Sequence, residues 1–276
     1  MKLFDSHCHL DDKTYDQDLE AVLKRADQAG VAACLVVGVT AIGSEKAARL
    51  AADHDDLYAS VGIHPHDASD CDEAAIRSLN NLARNNRKVR AWGETGLDFN
   101  RMYSPEADQE KWFVRQIAEA AALDLPLIFH ERDSGGRFLE ILKSELAPGQ
   151  TGVVHCFSGN QKELAAYLDL GLYIGITGVI TIKTRGEELR RLVNDIPEDR
   201  LLVETDAPYL TPTPERNRFK RNEPAFVKTV FLKLAEVRQQ DPATLAPIIW
   251  SNTCRLFKIE GRDRPARFEA WRPAVP

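Results

Sequence analysis

Short apolar runs rich in β-formers alternate with longer amphipathic ones along almost the whole chain. This alternation constrains the fold more than any other feature. The short runs are LFDSH (3–7), ACLVVGV (33–39), LYASVGI (57–63), VRAWGE (89–94), PLIFH (126–130), GVVHC (152–156), LYIGI (172–176) and LLVET (201–205). Helical patterns lie between and after them, at 16–29, 43–53, 106–123, 133–146, 160–170, 186–196 and 223–240, with a last short one around 243–258. Strand ends recur about every 28 residues, the length of a βα unit and too long for a hairpin repeat. Eight strands with a helix after each, in 276 residues, is the arithmetic of a single α/β (β/α)8 TIM barrel. An open doubly wound sheet shares this periodicity, but no Gly-x-Gly-x-x-Gly follows the first run. We expect one barrel domain over 1–260 and a tail, 261–276, packed on its outside or extending from it.

Where the histidines fall is the second constraint. Six of the seven stand at expected strand ends: His7 and His9 after the first, His64 and His66 after the third, His130 at the fifth and His155 at the sixth. Only His54 sits in a helical pattern, on a helix surface. Glu94 ends the fourth strand and Asp206 follows the eighth. In a parallel barrel all these ends converge on the carboxyl-terminal face, where active sites are built. Any one of them alone reads as a hydrogen-bonded structural residue, a turn or a cap. Together they read as a metal site, since imidazole and carboxylate suit Zn or Mn better than a purely oxygen-loving ion. His7, His9, Glu94, His130, His155 and Asp206 are too many ligands for one catalytic zinc, which takes about three. Two metals bridged by Glu94 fit better. Alternation along the first strand puts His7 and His9 on one face and Cys8 in the helix layer, with Asp5 facing inward to orient His7. His66, Asp67 and Asp11 read as turn residues.

Composition removes several other classes. Lys+Arg number 36 and Asp+Glu 42, a net charge of −6, which argues against coating nucleic acid or membrane by bulk charge. A phosphate can still be held locally. Five cysteines, an odd number without a Cys-x-x-Cys pair, point to a reducing compartment. The apolar run from Val31 to Val39 is interrupted by Gly38 and far short of a membrane span, and the first residues lack a signal-peptide core. A cytoplasmic protein without membrane contact is expected. No amphipathic seam marks an oligomer interface, so a monomer is expected too.

FDSHCHLD (4–11), VGIHPHD (61–67), GETGLDF (93–99), LIFHERD (127–133), VHCFSG (154–159), YIGITG (173–178), ETDAPYL (204–210) and RNEPAFV (221–227) resemble the TatD family of metal-dependent deoxyribonucleases. The blocks keep family order from residue 4 to about 258. The resemblance implies a (β/α)8 barrel related to the amidohydrolases and two divalent ions (Mg, Mn or Zn). It further implies that His7, His9 and Asp206 hold one ion, that His130 and His155 hold the other, and that Glu94 bridges them. His64 matches a residue near the phosphate rather than on metal. Some family members lack the first His-x-His, and this chain keeps it. Ser134-Gly135-Gly136 after HERD departs from the pattern, which bears on the helix start and on a phosphate contact from Arg132.

The expected function is therefore a two-metal phosphodiesterase on DNA, a 3′-5′ exonuclease on single strands. Asp206 is the expected general base. Arg132 and Arg221 are candidate substrate contacts, Arg221 within a basic cluster with Arg216, Arg218 and Lys220 that a solvated loop would also explain. Phe99, Tyr103 and Phe157 are candidates to stack bases, or else to wall a pocket. An amide, ester or lactone hydrolase on the same scaffold is the alternative. Related amidohydrolases bridge their metals with a modified lysine on the fourth strand, where this chain has Glu94. A non-catalytic metal-binding scaffold is a second alternative, opposed by the filled ligand positions.

Overall fold

The computed structural model describes residues 1–259. Eight parallel strands pair strictly in chain order: β1 (Leu3–Cys8), β2 (Val31–Val36), β3 (Leu57–Val61), β4 (Val89–Asp98), β5 (Leu127–Arg132), β6 (Gly152–Val154), β7 (Tyr173–Ile176) and β8 (Leu201–Val203). A parallel bridge from Cys8 to Ala207 brings the chain after β8 back to β1 and closes the ring. Helices α1 (Leu19–Ala29), α2 (Ala41–Asp53), α3 (Glu73–Asn85), α4 (Glu106–Ala122), α5 (Arg137–Glu145), α6 (Gln161–Asp169), α7 (Glu187–Leu192), α8 (Val227–Val237) and α9 (Pro242–Leu256) alternate with the strands. This is the (β/α)8 TIM barrel expected from the strand count. The tail at 261–276 lies outside the described residues.

Local chemistry explains where the helices start and stop. The Thr40 hydroxyl accepts from Gly43 N–H at the start of α2, and the Asp72 carboxylate from Ala75 N–H at the start of α3. Asn160 and Glu163 form a capping box on α6. Gly30, at φ 92°, ends α1 in the left-handed conformation that glycine accepts without a Cβ clash. Gly135 and Gly136 also have positive φ, so α5 begins at Arg137 rather than at 133. The pattern at 186–196 yields only the short α7, and α8 starts at Val227 after a single 3-10 turn at Pro224–Phe226. Helix α3 is not among the expected helices, although Ile76, Leu79, Leu82 and Ala83 recur at helical spacing on the face that packs against the core.

Two apolar layers result. Phe4, Leu35, Tyr58, Ile128, Val153, Tyr173 and Leu202 fill the barrel interior, and Leu256, Phe257 and Ile259 join the same cluster from the end of α9. A larger layer between strands and helices includes Cys8, Val36, Trp92, Phe129 and Phe138. Each fully buried Phe or Leu contributes about 1.5–3 kcal/mol. The barrel is therefore a packed support, with its polar residues left to the carboxyl-terminal mouth.

Two irregularities shape that mouth. Strand β4 continues past Glu94 to Asp98, paired with β5 as far as Arg132, and its register shifts between Trp92 and Thr95. Glu94 thus lies within its strand rather than at the end. The glycines flanking it are required by close approach: a Cβ on Gly96 (φ 149°) would lie 1.9 Å from the His130 carbonyl oxygen. Strand β1 shifts register against β2 between Asp5 and Cys8.

Candidate metal centre at the mouth of the barrel

That shift in β1 overturns one expectation. Alternation does not run unbroken from Asp5 to His7, so Asp5 does not face the His7 ring. Thr205 donates its backbone N–H (2.8 Å) and hydroxyl (2.5 Å) to the Asp5 carboxylate, tying β1 to the segment after β8. Cys8 does lie in the helix layer, donating to the Leu35 carbonyl.

Six candidate ligands from five different strands or strand ends meet in one cluster. His7 Nε2 lies 3.2 Å from His9 Nε2, and the His7 ring stacks on His155 with centroids 3.5 Å apart. Glu94 stands at the centre with its two oxygens facing different groups. Its Oε2 is 3.4 Å from His7 Nε2 and 4.0 Å from His9 Nε2. Its Oε1 is 2.8 Å from His130 Nδ1, 3.5 Å from His64 Nε2 and 4.0 Å from His155 Nε2. Asp206 closes the group, with Oδ1 3.3 Å from His9 Nε2 and 3.7 Å from both His7 Nε2 and His155 Nε2. Its backbone is left-handed (φ 57°), a conformation that short polar residues tolerate best, so it is a turn residue as well.

The charges follow from these contacts. Burial alone would raise Glu94, but His64, His7 and His130 hold it well below the usual carboxylate range. Asp206 is depressed against burial in the same way, by His9 and His155. His9, His130 and His155 resist burial and are pushed up to about 9 by their carboxylates. Burial lowers His7, and it lowers His64 to about 4. This is a buried place that keeps carboxylates ionised and attracts positive charge.

A divalent cation satisfies that demand with neutral imidazoles. The donor set of imidazole and carboxylate suits such an ion. His9 Nδ1 is 3.2 Å from the Val37 carbonyl, which fixes its proton there and leaves Nε2 for the cluster. His7, His9 and Glu94 lie close enough to share one ion, as do His64, His66 and His130. The residues present therefore fit the group.

Around the cluster opens a cavity of about 710 Å³, lined among others by Asp11, His64, His66, Asp67, Arg101, Tyr103, Arg132, Arg185 and Tyr209. Arg132 is thus where the sequence placed it. Arg221 is not among the cavity-lining residues. It forms a two-pronged ion pair with Asp18 (2.8 and 2.7 Å) and covers the Tyr15 ring, bracing the last loop against the first. Arg216, Arg218 and Lys220 are exposed and also absent from the lining. Of the three aromatic candidates only Tyr103 lines the cavity; Phe157 is buried in the core and Phe99 packs against it. Tyr209 is the aromatic residue that sequence reading missed at the mouth.

Two buried carboxylates were missed as well. Asp98 takes His66 Nε2 at 2.7 Å and His130 Nε2 at 3.3 Å, and accepts the backbone N–H groups of Asn100 and Arg101. Glu204 lies 2.8 Å from His155 Nδ1. Both had a signal: they stand four residues after Glu94 and two before Asp206, on the same parity as each.

Histidines and carboxylates gathered at the carboxyl ends of the strands of a (β/α)8 barrel place the chain in the class of barrel enzymes whose active sites are built on that face. Within that class the chain belongs to the TatD related DNase family, which it matches over residues 4–258. It is 43% identical over 266 residues to the 3′-5′ ssDNA/RNA exonuclease TatD of a Rahnella species, covering 94% of this chain and all of that one. Identity to the protein of the same name from Pectobacterium parmentieri is 42% over 260 residues, 93% of this chain and all of the relative. The crystal structure of YJJV, a TatD homologue from Escherichia coli, superposes with a TM-score of 0.86 at 33% identity, covering 93% of this chain and 98% of that one. The family implies divalent metal. No helix among the described residues is long and apolar enough to cross a membrane.

Proposed function

We propose that this enzyme is a two-metal phosphodiesterase that removes nucleotides from the 3′ end of single-stranded DNA, with residues 1–260 as its working unit in the cytoplasm. The division of the Glu94 carboxylate between two sets of imidazoles carries this reading. One ion would be held by His7, His9 and Asp206, the other by His130 and His155, with Glu94 shared. Five cysteines, an odd number without a Cys-x-x-Cys pair, fit a reducing compartment. The Rahnella and Pectobacterium relatives, named as single-strand 3′-5′ exonucleases, support the substrate and polarity.

Divalent ions bound there supply Lewis-acid stabilisation of charge on the phosphoryl oxygens. Asp206, ionised at neutral pH, accepts the proton of the attacking water as the phosphorus–oxygen bond breaks. His64 Nδ1 accepts the His66 N–H, so the neutral ring carries its proton on Nε2 and can donate it to a phosphate oxygen. Arg132, with Arg101 and Arg185 on the same rim, attracts the backbone despite the net charge of −6. Tyr103 and Tyr209, both more than half exposed, offer faces on which unpaired bases stack. Glu94 stands in WGETG where related amidohydrolases have a modified lysine, which favours the nuclease over the amide or lactone reading.

Digestion of 5′-labelled single-stranded DNA, RNA and duplex DNA by metal-reconstituted enzyme tests the proposal. A ladder shortening from the 3′ end of the single strands is expected. Internal cuts, or hydrolysis of amides or lactones alone, would overturn it.

A further inference from the structure

Glu204 is fully buried just beyond β8, with partners on β1 and at the end of β6. Oε1 takes the Cys156 backbone N–H at 2.6 Å and faces His155 Nδ1 at 2.8 Å, while Oε2 accepts the Ser6 hydroxyl at 3.3 Å. The carboxylate, one residue past β8, thus reaches β1 on one side and the end of β6 on the other. Between them, on β7, stands Gly175. A Cβ there would lie 2.5 Å from both Glu204 oxygens, although the φ of Gly175 is not positive and its backbone does not demand glycine.

From these contacts we propose that Glu204 is a positioning residue for His155, and that position 175 is glycine to seat its carboxylate. Glu204 and His155 are in ion-pair contact rather than an aligned hydrogen bond, and a carboxylate that close can only accept, so it favours the His155 proton on Nδ1 and leaves the Nε2 lone pair toward Glu94 and Asp206. A side chain with a donor at that point would favour the opposite tautomer, with its proton on the nitrogen facing the cluster. This inference rests on the reading of His155 as a metal ligand.

The test titrates metal-free wild type, Glu204→Gln, Gly175→Ala and the double variant with Mn(II) or Zn(II), reading the affinity of each bound ion. Wild type should bind two. Glu204→Gln should weaken one of them roughly 10–100-fold. Gly175→Ala should do the same while leaving the carboxylate's chemistry intact, because its methyl group displaces that carboxylate. The double variant should be no worse than the poorer single one, since both changes break the same contact. Glu204→Asp should recover part of the loss. A structural role alone would lower the melting temperature without moving either affinity. Two ions bound with wild-type affinity by either folded single variant would overturn the proposal and leave the two-metal reading standing. Wild type unable to bind a second ion would overturn both. Normal metal effects without DNA cleavage would overturn only the nuclease reading.

Discussion

Glu94 and Asp206 are held ionised by their neighbours, and each touches imidazoles from both sides of the cluster. If Asp206 is the base, Asp206→Asn should lower kcat about 10²–10⁴-fold. Its circular dichroism should be unchanged, and kcat within a few-fold of wild type would count against the role. The arginines separate by location. Arg132→Ala should reduce kcat/KM roughly 10–100-fold, the worth of a charge-assisted contact to phosphate. Arg221→Ala should leave kcat/KM alone and remove about 1 kcal/mol of bracing, a drop of about 2–4 °C in Tm. The opposite pattern in a paired assay would return Arg221 to the substrate. Histidines were legible in the sequence because the type is rare and six fell at strand ends. Asp98 and Glu204 carried only the weaker signal of shared parity with Glu94 and Asp206, because carboxylates are common and their contacts are what distinguish them. Arg221 misled for a related reason: a basic residue near the mouth in sequence had a partner, Asp18, far away in sequence.

Among the elements, β4 and β5 have the tightest dependence on each other. Gly96 sits against the His130 carbonyl, so Gly96→Ala must separate the two strands that carry Glu94 and His130. The variant should lose more than about 3 kcal/mol of stability in urea unfolding. A loss under 1 kcal/mol would show that the strands can part without cost. All eight strands could be read from apolar runs bounded by turn residues. Their ends could not, because β4 extends past Glu94 through a shift in register, and alternation has no means of announcing a bulge. The same limit explains Asp5. Helix α3 was passed over despite a clear apolar stripe of Ile76, Leu79 and Leu82, and the start of α5 was displaced by two glycines whose φ only the folded chain reveals.

For the whole molecule, the titrating cluster sets how stability depends on pH. His9, His130 and His155 titrate at about 9 when folded against an ordinary 6.5, so their contribution is complete below about 6.5 and is lost as pH rises through about 9. His7 and His64 are depressed, so they act in the other direction and withdraw stability as pH falls below 6.5. Glu94 and Asp206 stabilise above the ordinary carboxylate range and cease to do so as pH falls through their lowered values. These groups together favour metal-free protein near pH 6.5, while buried Asp5, pushed up to about 8, withdraws stability as pH rises toward that value. Metal binding requires neutral imidazoles and strengthens with pH, so the Tm gap between loaded and metal-free protein should widen from pH 6.5 to 9. A constant or narrowing gap in paired thermal scans would contradict the histidine ligands. The eightfold period made the architecture legible at this scale. The sorting of charge was not: a net-acidic body carries arginines on the rim of its mouth, and only folding brings Arg101, Arg132 and Arg185 together.

The decisive measurement is a stepwise titration of metal-free enzyme with Mn(II), in which bound metal and cleavage of 5′-labelled single-stranded DNA are followed in the same samples. Cleavage from the 3′ end should appear in step with the second bound ion, and Glu94→Ala should give none at any metal concentration. Full activity with one ion bound, or two ions bound and the DNA intact, would contradict the two-metal nuclease.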